Sequence, residues 1–225
     1  MTAVKTPAWI LLAALAAWAQ SPTPAALARQ QLPGLVATYK QLHEAPELSH
    51  FEAKTSAFMA AQLRSLGYTV TEHVGKYAGH PEWRGYGVVA ILKNGAGPTL
   101  LVRTELDALP VTEQTGLPYA SQTPGVMHAC GHDIHMTALL GAAAAMVRLK
   151  SEWHGTLELI AQPAEETING AQAMLDDGMY TRFPRPDLLL AEHDTPALAA
   201  GTVGYAPGYA MASATSVKIV LHGVS

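Results

Sequence analysis

Several groups of polar residues stand beside apolar runs of strand or helix length, and their side chains are of types that bind divalent metal ions. They supply carboxylates, imidazoles and one thiolate: Glu105 and Asp107; Cys130, His132, Asp133 and His135; Glu165 and Glu166; His193 and Asp194. The carboxyl ends of parallel strands line up along one edge of a sheet, where open α/β sheets hold ligands. The sequence therefore predicts that these groups converge on one metal site.

Each residue also has an ordinary structural interpretation. A lone cysteine such as Cys130 is more often a small buried apolar residue than a metal ligand. His132 and His135 are spaced like one exposed helix face, and His193 is compatible with a satisfied core histidine. The metal site is favoured because all the groups occur together at element ends.

The residue types suggest a division of roles in a site with two ions. A thiolate or a carboxylate can bridge two ions, whereas an imidazole cannot, so Cys130 is the candidate bridge. His132, Glu166 and His193 are terminal ligands by type. In the adjacent pair Glu165 and Glu166, one carboxylate binds metal and the other acts as general base.

Carboxylates near such a site also orient its imidazole ligands. Glu105 and Asp107 are the candidates for this supporting role.

Composition excludes some classes of protein. The chain has 225 residues, of which 49% are hydrophobic and 14% charged, a balance that excludes wholesale disorder. A net charge of −4 without a basic block argues against a nucleic-acid partner. A single cysteine excludes an internal disulfide and a CxxC zinc module.

Helical and strand-like segments alternate along the chain, which predicts an α/β fold with a mainly parallel sheet. The predicted helices are residues 33–45, 51–66, 135–150 and 170–177. The predicted strands are residues 69–74, 87–92, 99–102, 155–162 and 187–192, the last of them buried.

The amino terminus has the pattern of a secretory signal peptide. Residues 1–19 combine Lys5, a short apolar run and a small-residue cleavage site, and residues 20–32 follow as a polar leader. The alternatives are an uncleaved anchor or a buried first helix. Cleavage predicts export to a periplasm or the outside, with no stable membrane anchor afterwards.

Several segments carry a family resemblance. They include RTELDALPVTEQTGLPYAS at 103–121, GVMHACGHDIHMTALLGAA at 125–143, and QPAEE at 162–166. The chain resembles the aminoacylase/carboxypeptidase family of dinuclear metallohydrolases. The most similar branch holds hippurate hydrolase and the auxin–amino-acid conjugate amidohydrolases.

The resemblance implies two divalent ions (Zn, Mn or Co) and the hydrolysis of N-acyl amino acids or small peptide-like conjugates. It assigns Glu165 as general base and Asp107 as the acid that orients a ligand. We expect further supporting or substrate contacts from Glu105, His135 and Glu113; position 105 is Glu where the branch usually has Asp. The implied metal ligands are Cys130, His132, Glu166 and His193.

The resemblance also implies a domain organisation. Residues 33–211 form the amino-terminal part of the catalytic domain, and residues 212–225 begin an inserted α+β lid through which such proteins form homodimers. We expect this chain to be an incomplete part that lacks a fifth ligand and is inactive alone.

The residues themselves are compatible with two other functions. One is a dinuclear aminopeptidase, against which Cys130 argues. The other is a non-enzymatic remnant that binds metal or a partner.

Overall fold

The computed structural model describes residues 22–209, 217 and 219–223. The chain divides into one compact unit up to Glu192 and a second from His193. The elements of the first unit, in chain order, are α1 (Pro24–Glu44), α2 (Ala53–Ser65), β1 (Thr69–Val74), β2 (Gly87–Asn94), β3 (Thr99–Glu105), α3 (His132–Arg148), a 3-10 turn (Lys150–Glu152), β4 (Gly155–Gln162), α4 (Gly170–Asp176), α5 (Met179–Arg182) and β5 (Leu188–Ala191).

The strands form one sheet in the order β1-β2-β4-β3-β5. Strands β3, β4 and β5 are parallel, whereas β1 pairs with β2, and β2 with β4, in antiparallel fashion. The predicted α/β class is confirmed, and the sheet is mixed because β2 runs antiparallel to both of its neighbours, β1 and β4. The parallel half carries the site.

Helices cover both faces of the sheet. In β4, the side chains of Leu157, Leu159 and Ala161 belong to the main core, which also takes in residues of α1, α2 and α3. A smaller cluster on the other face includes Met174 of α4 and Met179 of α5. This alternation along β4 matches a strand buried on both faces.

Helix α1 begins earlier than the sequence indicates. Thr23 caps the helix by accepting a hydrogen bond from the backbone amide of Ala26, and Pro24 occupies its first turn. Residues 24–32, assigned to a leader, are therefore helical, and Pro33 lies inside the helix.

Strand β5 differs from the prediction in its exposure. Leu188, Leu189 and Leu190 are 63%, 53% and 57% exposed, because β5 is the edge strand of the described sheet. The sequence run alone suggested a buried strand.

The second unit contains no helix or strand among residues 193–209, 217 and 219–223. The predicted signal peptide, residues 1–19, lies outside the described residues, and so does most of the predicted lid segment, 212–225. The boundary proposed at 211/212 stays a prediction. Within the described residues, no helix has the length and hydropathy needed to cross a membrane.

Candidate functional site

The site begins where β3 and β4 end side by side. Glu105, the last residue of β3, pairs with Gln162, the last residue of β4. Asp107 therefore follows one strand where Glu165 and Glu166 follow the other. This is the convergence that the spacing of the polar groups predicts.

His132 is the first residue of α3 and is 1% exposed. Its Nδ1 donates to the backbone oxygen of Asp107 at 2.7 Å. Its Nε2 lies 3.8 Å from Oε2 of Glu165 and 3.9 Å from Oε1 of Glu166. Because Nδ1 carries the proton, the Nε2 lone pair faces the carboxylates, which is the tautomer a metal ligand needs.

The electrostatics of His132 reflect the acidic surroundings. Burial lowers the pKa of His132, but the hydrogen bond to Asp107 and the negative charge of Glu105 outweigh it and raise the pKa overall. The imidazole thus lies in a site that favours positive charge, as expected for a place where a cation binds.

Asp107 connects the two strand ends. Its Oδ2 accepts from the hydroxyl of Ser49 at 2.6 Å and from the backbone amide of Glu166 at 3.0 Å. Burial raises the pKa of Asp107, but hydrogen bonds from His132, Ser49 and Glu166 outweigh it and lower the pKa overall. Asp107 is therefore an ionised carboxylate that fixes both His132 and the loop after β4.

The donor set fits a divalent ion. His132, Glu165 and Glu166 offer ligand atoms that all lie within 4.8 Å of one another. Oε1 of Glu166 is buried and has no hydrogen-bond partner among the described residues. A buried carboxylate oxygen left without a donor is costly unless a cation satisfies it.

Glu165 differs from its neighbour in exposure. Its side chain is 38% exposed, against 19% for Glu166. Burial raises the pKa of Glu165, partly countered by the charges of His132 and Arg103. A carboxylate with a raised pKa that still reaches solvent suits proton transfer, whereas the more buried Glu166 suits metal binding.

Glu105 and His135 form a second pair of a carboxylate and an imidazole, close to His132. Nδ1 of His135 donates to Oε2 of Glu105 at 3.0 Å, and both residues are buried. Burial raises the pKa of Glu105, but the hydrogen bond from His135 and the charge of Arg103 outweigh it and lower the pKa overall. With His132, this pair also places its ligand atoms within 4.8 Å.

Arg103 is a site residue that the sequence analysis missed. Its guanidinium lies 2.9 Å from Oε1 of Glu105 and 3.7 Å from Oε1 of Glu165, and its Nε donates to the Gln162 side chain at 2.8 Å. Its position in β3, two residues before Glu105, is the signal that could have found it.

Glu113 contacts none of these carboxylates. It lies 3.2 Å from Nε2 of His43, whose Nδ1 donates to Oδ2 of Asp133 at 2.6 Å. Burial lowers the pKa of His43, but Asp133 and Glu113 outweigh it and raise the pKa overall. Glu113 thus supports the first turn of α3 through His43, a residue missed as a site element.

Cys130 and His193 complete the predicted ligand set. Cys130 is partly buried, forms no disulfide, and lies two residues before His132. His193 opens the second unit, where its Nδ1 contacts the backbone oxygen of Asp194 at 2.7 Å. Their roles as ligands stay predictions.

A comparison with models of protein families shows which family the chain belongs to. Residues 101–224 match the model of peptidase family M20/M25/M40. The chain belongs to this family. The matched residues include the ends of β3 and β4, the start of α3 and every predicted site residue, so the M20 assignment rests on the part of the chain that carries the site.

Two M20-like relatives illustrate the similarity in sequence. N-acetyl-L-cysteine deacetylase of Bacillus subtilis is 38% identical over 190 residues, 84% of this chain and 43% of that protein. Hippurate hydrolase of Campylobacter jejuni is 39% identical over 184 residues, 81% of this chain and 45% of that protein. The chain thus spans about half the length of the curated relatives it matches.

Solved structures agree on the fold. The YXEP protein of Bacillus subtilis, described as a dinuclear metal-binding peptidase of the M20 family, has a TM-score of 0.66 and 33% identity. The match covers 76% of this chain and 45% of that chain. The predicted catalytic fold is confirmed.

Proposed function

We propose that this chain is part of a metal-dependent amidohydrolase that cleaves N-acyl amino acids or small peptide-like conjugates. The observation that carries the proposal is the approach of Glu165 and Glu166 to Nε2 of His132, at 3.8 and 3.9 Å. One relative is named for deacetylating N-acetyl-L-cysteine and another for hydrolysing hippurate. Both compounds are N-acyl amino acids, which supports this substrate class.

We propose two divalent ions as cofactors. Cys130, His132, Glu166 and His193 would hold them, and this mixture of thiolate, imidazole and carboxylate suits Zn, Mn or Co. When bound, such ions polarise the amide carbonyl and lower the pKa of a bound water. The dinuclear description of the similar YXEP structure supports this number of ions.

The chain's own residues supply the proton transfers. Glu165 takes a proton from the attacking water and delivers it to the nitrogen of the leaving amino acid. Arg103, 3.7 Å from Oε1 of Glu165, restrains this carboxylate. Asp107 holds the ring of His132 through its backbone oxygen and the Glu166 loop through its carboxylate.

We also propose export and a homodimer for the whole protein. Export is supported by the signal-like pattern of residues 1–19, and residues 212–225 would begin the dimerising lid. A fusion of residues 1–25 to a reporter active only after export tests the first, and light scattering of the whole protein tests the second.

A Glu165→Gln substitution in the whole protein tests the catalytic assignment. Gln preserves shape but cannot accept the proton, so turnover of N-acyl amino acids falls by at least ~10²-fold, the usual contribution of a general base. Metal content stays near that of the wild type. Loss of metal together with activity would reassign Glu165 as a ligand, and full activity would refute the proposed chemistry.

A further inference from the structure

The loop after β4 has an unusual backbone at the residue before the catalytic pair. Ala164 has φ of 48°, in the left-handed region that residues with a Cβ rarely adopt. Ala164 is completely buried and immediately precedes Glu165. A left-handed non-glycine residue persists only where its surroundings hold it there.

Hydrogen bonds from several parts of the chain hold this loop. The amide of Ala164 donates to Oε1 of Glu52 at 2.7 Å, and the Ala164 oxygen accepts from the amide of Gly170 at 3.1 Å. The amide of Glu166 donates to Asp107 at 3.0 Å. A hydroxyl within the loop also donates to the Ala164 oxygen, at 3.4 Å. Glu52 reaches the left-handed residue from another element, the start of α2.

The position of Glu52 that allows this contact is energetically unfavourable for its own side chain. It occupies the N-cap position of α2, yet its side chain makes no capping hydrogen bond to its own helix. It is completely buried, and Oε2 has no hydrogen-bond partner among the described residues. Burial raises the pKa of Glu52 to about 7, although backbone hydrogen bonds lower it in part. A polar group kept under these conditions calls for a functional explanation.

We propose that Glu52 is a positioning residue for the catalytic carboxylates. Its hydrogen bond to the Ala164 amide stabilises the left-handed turn, and the turn directs Glu165 and Glu166 toward His132. The proposal rests on the proposed function, because it takes the roles of Glu165 and Glu166 from there.

Variants of the whole protein separate positioning from general stability. Glu52→Ala removes the acceptor and Glu52→Gln keeps it. Glu52→Ala combined with Ala164→Gly removes the acceptor but also the steric penalty of the left-handed turn. Glu158→Ala is the matched control, since Glu158 is equally buried but its carboxylate has no hydrogen-bond partner among the described residues.

The main readout is cobalt affinity, followed by the visible absorption of the bound ion. We expect Glu52→Ala to weaken cobalt binding roughly tenfold to a hundredfold, as for other residues that support ligands. Glu52→Gln and Glu158→Ala bind like the wild type, and Ala164→Gly restores most of the affinity that Glu52→Ala loses. The rates of hydrolysis should rank the variants in the same order, and kcat should change more than KM.

Two results would overturn the positioning role alone: unchanged cobalt affinity and kcat in Glu52→Ala, or an equal loss in Glu158→Ala. A wild-type protein that binds none of cobalt, zinc and manganese would refute the proposed function and the positioning role together. Amide hydrogen exchange at Ala164 gives an independent check, because Glu52→Ala should speed it while Glu158→Ala should not.

Discussion

The backbone amide of Glu166 donates to Oδ2 of Asp107 at 3.0 Å, which joins the loop after β4 to the end of β3. The same carboxylate accepts from Ser49 at 2.6 Å, and the Asp107 backbone holds Nδ1 of His132. One buried acid thus fixes an imidazole and a carboxylate that come from distant parts of the sequence.

Asp107→Asn should therefore weaken metal binding without unfolding the protein. We expect a loss of roughly tenfold to a hundredfold in metal affinity and of about 1–3 kcal/mol in the free energy of unfolding, because a neutral amide replaces a buried charged acceptor. Calorimetric metal titration and urea unfolding measure the two. Ser49→Ala, which removes a single donor, is the control and should show a smaller loss in both. A loss of stability with unchanged metal affinity in Asp107→Asn would assign Asp107 a purely structural role.

Arg103→Met should lower turnover more than it lowers metal binding. The variant leaves Glu105 and Glu165 without their shared cation, so the pKa of Glu165 rises further and the base is less ionised at neutral pH. We expect kcat to fall about tenfold and the acidic limb of its pH profile to move to higher pH. Arg103→Lys keeps the charge and should move that limb less. An unchanged profile in Arg103→Met would show that Arg103 does not affect the ionisation of Glu165.

Gly170→Ala should disrupt the loop that carries the catalytic pair. A Cβ at this position would lie 1.6 Å from the backbone oxygen of Pro163. The chain must shift to relieve the clash, which we expect to cost about 1–3 kcal/mol in the free energy of unfolding. Gly34→Ala is the matched control, because a Cβ there meets nothing within 4 Å inside α1. It should stabilise the protein by about 0.5–1 kcal/mol; similar effects of the two changes would contradict the loop geometry.

Glu158→Gln should change how stability depends on pH. Burial raises the pKa of Glu158 from 4.5 to about 7. The folded state therefore binds a proton on Glu158 more tightly than the unfolded state does. The stabilisation that this proton gives is complete below about pH 4.5 and is lost as the pH rises toward 7. Between pH 5 and pH 8 the stability of the variant relative to the wild type should rise by up to about 3 kcal/mol. Urea unfolding at both values measures the difference, and a constant difference would show that Glu158 titrates normally.

The local pattern was enough to predict the strands that carry the site. The predicted strand 155–162 is the observed β4, and polar residues at the ends of β3 and β4 do come together. Helix α3 begins at His132, three residues before the predicted start. The prediction missed this first turn because the turn is mostly polar and shows no apolar periodicity. Patterns of apolar residues locate elements well, but they mark the ends of helices poorly.

Residues that act through distant partners could not be predicted from the sequence. Glu52 meets Ala164 across 112 positions, and His43 meets Asp133 across 90. Nothing in the spacing of these residues indicates a shared contact, because the fold alone brings them together. The insertion of β4 between β2 and β3 was missed for the same reason, since strand order is a property of the assembled sheet.

Metal removal and readdition tests most directly whether this protein is a metal-dependent amidohydrolase. The whole protein is stripped with a chelator, and hydrolysis of N-acetyl and N-benzoyl amino acids is followed as zinc, manganese or cobalt is returned. We expect activity to disappear on stripping and to recover as up to two ions per chain bind. Hydrolysis that survives complete removal of metal, or metal binding without hydrolysis of any N-acyl amino acid, would contradict it.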